Sequence, residues 1–157
     1  KPIIGQYDIN REGSGDMYSK GANLLHTIRQ LAKDDEIWRQ TLRGLNKEFY
    51  HSTVTTGEVE EYISKSIGMD LSKVFDQYLR DYRVPIFEYE ITNGVLMYRW
   101  NNVIDGFDMP VEVIIDGENK VLNPTTEFKY IPIKNLYINV DNDYYVYTKD
   151  LKVIIDS

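Results

Sequence analysis

The spacing of apolar residues along the chain changes near Pro85. Before it, apolar residues recur every three or four positions, as in amphipathic helices, and after it they alternate with polar ones, as in half-buried strands. We therefore predict an α+β fold, with a helical N-terminal half followed by an all-β half. The expected architecture is stacked α-helical hairpins and then a small antiparallel β-sandwich, divided into domains of residues 1–84 and 85–157.

Two helices are predicted first. Asp16 is a candidate N-cap of the first, and the acidic residues 34–36 suit the start of the second, which is expected to end around His51. The faces expected to be buried are Met17, Gly21, Leu24, Leu25, Ile28 and Leu31 in the first helix and Trp38, Leu42, Leu45 and Phe49 in the second.

Two more helices follow. Residues 55–58 have the capping-box pattern, and Gly68 suits the left-handed residue that ends a helix. Asp70 is expected to cap the fourth helix, which must end before Pro85. The expected apolar faces are Val59, Tyr62, Ile63 and Ile67, then Leu71, Val74, Phe75, Tyr78, Leu79 and Tyr82.

The β half opens with a hairpin whose turn is Asn93-Gly94, a dipeptide that tolerates the positive φ angles of a type I′ turn. A two-residue loop fixes the register. Thr92 is predicted to pair with Val95 at the turn. The other predicted pairs are Ile91 with Leu96, Tyr89 with Tyr98 and Phe87 with Trp100, all on one face, and Glu88 with Arg99 on the other.

Later strands are expected to cover the aromatic face of this hairpin. They carry Val111, Val113 and Ile115, then Phe128 and Tyr130, then Tyr137 and Val140. Turns are expected at residues 116–117, 123–124 and 141–143, and Pro132 suits an edge strand.

Composition narrows the classes of function. The 157 residues carry a formal net charge of -7 and contain no cysteine. Acidity without a basic cluster argues against a nucleic-acid or anionic-membrane partner, and no apolar run approaches the ~20 residues of a membrane span. Neither charge nor the lack of cysteine indicates a compartment. Because the chain begins with Lys1, we expect a processed or excised polypeptide.

Residues that could bind a metal are few. His26 and His51 are the two histidines of the sequence, and no His-Glu-x-x-His pair is present, so we expect no zinc site within this chain. Residues 141–143 resemble the start of a calcium loop but lack its glycine and final glutamate, which favours a turn. Glu58, Glu60 and Glu61 are read as a solvated helix face rather than a paired-carboxylate site.

Tyr18 is the candidate for chemistry. It lies where the first helix begins, immediately before a Ser-Lys-Gly segment. A tyrosine hydroxyl can donate to a developing oxyanion, and a helix N-terminus favours the same anion. From spacing alone, however, a structural tyrosine with its ring in the core is the more common case.

Several segments resemble the zinc-dependent aminopeptidases related to aminopeptidase N and leukotriene hydrolases, in the part that follows the metal site. Residues 16–26 are similar to the family's Tyr-x-Lys-Gly segment, which opens a helix with an apolar end. The helix start at Thr55-Thr56 and residues 68–72, 75–79 and 84–89 resemble the family in order and spacing.

The resemblance implies that Tyr18 stabilises the oxyanion of a tetrahedral intermediate in a full-length enzyme that removes N-terminal residues from peptides. Zinc and a His-Glu-x-x-His glutamate would complete that site, and both belong to an upstream part that this chain lacks. We therefore expect no zinc binding and no peptidase activity from the chain alone. We also expect an exposed apolar patch and self-association.

A second hypothesis assigns the chain a different kind of function. On this hypothesis the protein is a non-catalytic interaction protein that keeps the aminopeptidase scaffold after loss of the metal site. The sequence upstream of Lys1 separates the two hypotheses.

Overall fold

The computed structural model describes residues 1–5, 7, 13, 15–135 and 137–152. Helices precede strands, which confirms the α+β class, and α2 packs against both α1 and α3. The helical elements are α1 (Asp16–Ala32), α2 (Asp35–Glu48), α3 (Thr56–Ile67) and α4 (Ser72–Phe75), which continues into the π-helical turn Asp76–Arg80. The strands are β1 (Ile86–Thr92), β2 (Val95–Asn101), β3 (Val111–Ile115), β4 (Glu118–Leu122), β5 (Lys129–Pro132), β6 (Ile138–Val140) and β7 (Tyr147–Asp150). The division into two domains stays a prediction.

Local capping explains where α2 and α3 begin. The Asp34 carboxylate accepts hydrogen bonds from the backbone N–H groups of Glu36 and Ile37, at 2.7 and 3.3 Å. At α3 the capping box of Thr55 and Glu58 is formed in both directions, as predicted. These short-range bonds satisfy backbone donors that have no partner within the helix.

Helix ends differ in part from the predictions. Gly68 ends α3 in the left-handed conformation, as expected, with φ of 70°. Gly15, rather than Asp16, is the N-cap of α1, and α2 ends at Glu48 instead of near His51. Asp70 precedes the N-cap of α4 by one residue, yet its carboxylate still accepts the N–H of Ser72 at 2.9 Å.

The buried faces of the helices also differ in part from the predicted ones. Met17 and Leu25 are exposed because the buried side of α1 is centred on other positions. Leu42 is exposed because its neighbour Thr41 faces the core, and Tyr82 lies beyond the helical turn that ends at Arg80. The buried residues of α1 are Lys20, Leu24, Thr27, Ile28 and Leu31.

The strands form two sheets, with orders β5-β2-β1-β7 and β4-β3-β6. The predicted register of the β1–β2 hairpin is confirmed at every pair, and Asn93 and Gly94 have φ of 50° and 75°. β5 and its Pro132 lie at a sheet edge, as predicted. β7 pairs with β1 in parallel, so one pair departs from the antiparallel arrangement.

Inward-facing side chains close the core of the β half. All three predicted positions of β3 are buried, and the indole nitrogen of Trp100 donates to the Met109 carbonyl at 2.9 Å. The prediction for Tyr130 was wrong, since its pairing with Met97 places it on the outer face, where it is exposed. Tyr137 is exposed too, because Ile138 and Val140 of β6 take the inward positions. Phe128, half-buried, lies on the outer face, 4.2 Å from the Arg99 guanidinium.

Candidate functional site

Tyr18 lies in the first turn of α1, and 77% of its surface is exposed. The interpretation of its ring as a core side chain was therefore wrong. The ring extends into solvent at the start of a 17-residue helix. Its catalytic role stays a prediction.

Backbone donors at the start of α1 favour a developing anion, whereas the carboxylate of Asp16 in the same turn opposes one. Gly15 supplies no capping side chain, and the N–H of Tyr18 makes a long bond of 3.3 Å to the Gly15 carbonyl. Backbone donors in a first turn carry the positive end of the helix dipole. A phenol at this position can donate a hydrogen bond to an oxygen that gains negative charge.

Lys20 anchors the turn that carries Tyr18. Its side chain is 6% exposed, and its ammonium group donates to the Asp81 carbonyl at 2.5 Å. Burial lowers the pKa of Lys20, while the negative charge of Asp81 acts in the opposite direction. Since residues two apart on a helix point to nearly opposite sides, Lys20 can face inward while Tyr18 faces outward.

The segment that receives Lys20 is itself held in place. The Arg83 guanidinium donates twice to the Asp81 carboxylate, both at 3.0 Å, and the Arg83 N–H donates once at 2.7 Å. The Arg83 hydrogen bonds hold the pKa of Asp81 below its ordinary value. The first turn of α1 is thus tied to the connection between helices and strands.

The middle of α1 is fastened to the β half through Tyr145. The Thr27 hydroxyl accepts the Tyr145 N–H at 3.0 Å, and the Tyr78 hydroxyl donates to the Tyr145 carbonyl at 2.7 Å. Burial raises the pKa of Tyr78, so this hydroxyl remains a proton donor. The first contact fixes α1 to Tyr145, and the second ties Tyr145 to the helical turn Asp76–Arg80.

The histidines are not brought together into a metal site. His26 is exposed, 3.3 Å from the Asp143 carboxylate, and His51 contacts the Tyr50 ring at 4.1 Å between centroids. Within the described ranges, no group of three histidine or carboxylate side chains could hold a metal ion. The Asp141 carboxylate accepts the Asp143 N–H at 2.9 Å, which confirms that residues 141–143 form a turn.

The three glutamates of α3 also have separate partners. Glu58 belongs to the capping box, Glu60 pairs with Arg80 at 2.7 Å and Glu61 pairs with Lys65 at 2.6 Å. Each of these carboxylates therefore has its own partner, and the three do not form a catalytic pair.

Two cavities lie in the β half, away from α1. One of about 240 Å³ is lined by Glu112, Val113, Ile114, Asn119, Asn139 and Asp141. Another of about 510 Å³ is lined by Asp116, Glu118, Lys120, Pro132, Ile133, Lys134 and Asn135. Tyr18 lines neither cavity. Each helix that the described ranges contain is too short or too polar to cross a bilayer.

Sequence reasoning missed the anchoring role of Lys20. A lysine in a surface helix is ordinarily solvated, and periodicity alone placed Leu25 rather than Lys20 on the buried face. The signal was the Lys20-Gly21 pair, which begins two residues after Tyr18 and which the family resemblance included without a structural role.

No protein-family model matches the sequence, and no curated protein does. Among solved structures, 70 chains match. One is Legionella pneumophila aminopeptidase A, solved in complex with aspartic acid, at 16% sequence identity and a TM-score of 0.65. The match covers 87% of this chain and 18% of that chain. The chain therefore has a fold that occurs within an aminopeptidase and spans less than a fifth of that protein's length.

Proposed function

We propose that this chain is the C-terminal portion of a zinc aminopeptidase, in which Tyr18 donates its hydroxyl to the oxyanion of the tetrahedral intermediate. The observation that carries the proposal is an exposed tyrosine on the first turn of a helix, within a fold that matches part of an aminopeptidase over 87% of the chain. A donor in this position stabilises charge that develops only in the transition state.

The metal does not fit the residues described here. Their histidines and carboxylates form no set of three ligands, so the zinc ligands and the general base of the proposed enzyme belong to polypeptide that precedes Lys1. In that enzyme a bound zinc supplies Lewis-acid chemistry. The contribution of this chain is to hold one phenolic donor on a helix fixed by Lys20 and Thr27.

Substitution of Tyr18 tests the proposal in the longer polypeptide. Tyr18→Phe removes the hydroxyl and keeps the ring, so turnover of an aminoacyl anilide should fall by about 10²–10³. The control is Tyr50→Phe, which removes the hydroxyl of a tyrosine that is 74% exposed just beyond the end of α2 and should leave turnover unchanged. If turnover of the Tyr18→Phe protein stayed within a few-fold of wild type, Tyr18 would not be the oxyanion donor.

The sequence before Lys1 gives an independent check. A His-Glu-x-x-His motif followed by a further glutamate ligand would support the assignment as an aminopeptidase. Its absence would contradict that assignment and favour a non-catalytic interaction protein. By the same reasoning the 157-residue chain alone should release no product from an aminoacyl anilide.

A further inference from the structure

The turn between β1 and β2 carries the one Asn-Gly pair of the sequence, Asn93-Gly94. Asn93 is exposed and Gly94 is half-buried. Glycine has no Cβ beside its nitrogen, so a neighbouring side chain can approach the Gly94 nitrogen closely. Among the described residues, neither the Asn93 side-chain amide nor the Gly94 N–H has a hydrogen-bond partner. A carbonyl carbon and a nucleophilic nitrogen are therefore adjacent, and no described hydrogen bond holds either of them.

Asn142 shows how the same pair of groups is restrained at another exposed turn. The residue after it is Asp143, whose N–H donates to the Asp141 carboxylate at 2.9 Å. The Asp143 nitrogen is thus engaged, and the Cβ of its own residue limits access to it. Asn142 is therefore the internal comparison for Asn93.

The β1–β2 turn also has a structural contact at one end of the β half. The Gly94 carbonyl accepts the N–H of Ile133, a residue that is 7% exposed, at 2.9 Å. The next two N–H groups, of Lys134 and Asn135, donate to the carboxylate of Asp116 in the β3–β4 turn, at 3.0 and 2.6 Å. This short segment therefore bonds to one turn of each sheet.

We propose that Asn93 is a site of spontaneous modification, at which the chain converts its own asparagine into isoaspartate and detaches the β1–β2 turn from Ile133. The Gly94 nitrogen forms a bond to the side-chain carbonyl carbon of Asn93 and gives up its proton, while the amide nitrogen leaves as ammonia. Water then opens the cyclic imide at either of its carbonyl groups, which gives aspartate or isoaspartate. Water is the co-reactant, and no electron is transferred.

The two products affect the turn differently. Isoaspartate carries the side-chain methylene of Asn93 in the main chain, between Thr92 and Val95. Because a two-residue loop fixes the register of the hairpin, an additional main-chain atom displaces the Gly94 carbonyl from Ile133. Aspartate adds the same negative charge but leaves the main chain unchanged.

Peptide mapping by mass spectrometry tests the modification itself. When the folded chain is incubated at mildly alkaline pH, Asn93 should be converted faster than Asn142, with isoaspartate among the products. Asn93→Gly is the unreactive control, because Gly-Gly also suits this type of turn. Equal conversion of Asn93 and Asn142, or conversion of Asn93 only when urea unfolds the chain, would overturn the proposal.

Hydrogen exchange tests the detachment, on isoaspartate protein separated by ion-exchange chromatography. The Ile133 amide should lose its protection, and the thermal midpoint should fall by about 2–4 °C for the loss of one such hydrogen bond. Asn93→Asp should keep both properties, because it has the new charge without the additional main-chain atom. Asn93→Gly protein incubated for the same time should keep them too.

Two further results would contradict the detachment. Loss of Ile133 protection in Asn93→Asp as well would assign the effect to charge rather than to the lengthened main chain. An isoaspartate form with a protected Ile133 amide and an unchanged midpoint would show that the turn remains bound to Ile133 after modification.

Discussion

The β1–β2 hairpin and α1 both present apolar side chains, but this chain buries them to different extents. On the hairpin, Phe87, Leu96 and Trp100 are at most 1% exposed. On α1, Ile28 is fully buried, whereas Leu25 on another side of the same helix is 44% exposed. Two elements of similar apolar content therefore end in different environments.

The difference shows which part of the core is complete. Later strands of the same chain cover the inward face of the hairpin, so the β half supplies its own packing partners. α1 has an inner side that packs on the rest of the chain and an outer side that no described residue covers at Gly21. Function, on our proposal, lies on the incomplete side.

The largest loss of stability is expected when the Trp100 side chain is removed. Trp100→Ala leaves a cavity between Phe87 and Phe107, whose rings lie 5.6 Å from the indole, and removes the bond to Met109. The free energy of unfolding should fall by about 3–5 kcal/mol, measured by urea denaturation of the 157-residue chain.

Tyr147→Ala is the control for Trp100, since it removes an aromatic ring that is 60% exposed. It should change the free energy of unfolding by about 0.5 kcal/mol or less. Comparable losses for the two variants would mean that the β half does not have the closed core described above.

A smaller effect is expected at the contact between α1 and the β half. Thr27→Val keeps the shape of the side chain but leaves the Tyr145 N–H without its acceptor, which should cost about 1–3 kcal/mol of unfolding free energy. Thr41→Val is the matched control, because among the described residues that buried hydroxyl bonds only to the Ile37 carbonyl of its own helix.

Loss of such a bond within a helix is nearly neutral, so Thr41→Val should cost well below 1 kcal/mol. Chemical denaturation of both variants measures the difference. Equal costs would show that the inner side of α1 does not depend on the β half for its hydrogen bonding.

The smallest expected effect is a pH-dependent change in the contribution of Lys20 to the free energy of unfolding. Burial lowers the pKa of Lys20 in the folded state, against the opposing charge of Asp81. The unfolded chain then binds more protons between that lowered pKa and the ordinary value of 10.5, so the contribution of Lys20 to stability rises with pH across this window.

Lys20→Met removes this contribution. The unfolding free energy of wild type minus that of the variant should increase as pH rises from neutral toward 10.5, measured by urea denaturation at each pH. Taking the difference between the two proteins cancels titrations that they share. A difference that is constant, or that falls with pH, would contradict burial of the ammonium group.

Parts of the fold governed by neighbouring residues could be predicted. The register of the β1–β2 hairpin followed from Asn93-Gly94, because a two-residue loop permits one pairing. The start of α3 followed from Thr55 and Glu58, whose bonds span three residues. Such interactions depend on spacing along the sequence.

Parts of the fold that depend on residues far apart in the sequence could not be predicted. β7 pairs with β1 across about sixty positions, with Tyr147 opposite Ile86, and no local pattern indicates this partner. Periodicity identified α1 as amphipathic but could not say which apolar side would be covered, so Met17 and Leu25 were assigned wrongly. Tyr18 was singled out by its place at a helix start, and its assigned role depended on a resemblance.

The bond between Thr27 and Tyr145 joins residues 118 positions apart. A ribosome that adds about 5–20 residues per second needs about 6–24 s to synthesise the intervening polypeptide. During that interval the inner side of α1 has emerged without the residue that fastens it to the β half. The hydrogen bond that joins α1 to the β half therefore forms only after one of the last described segments has been synthesised.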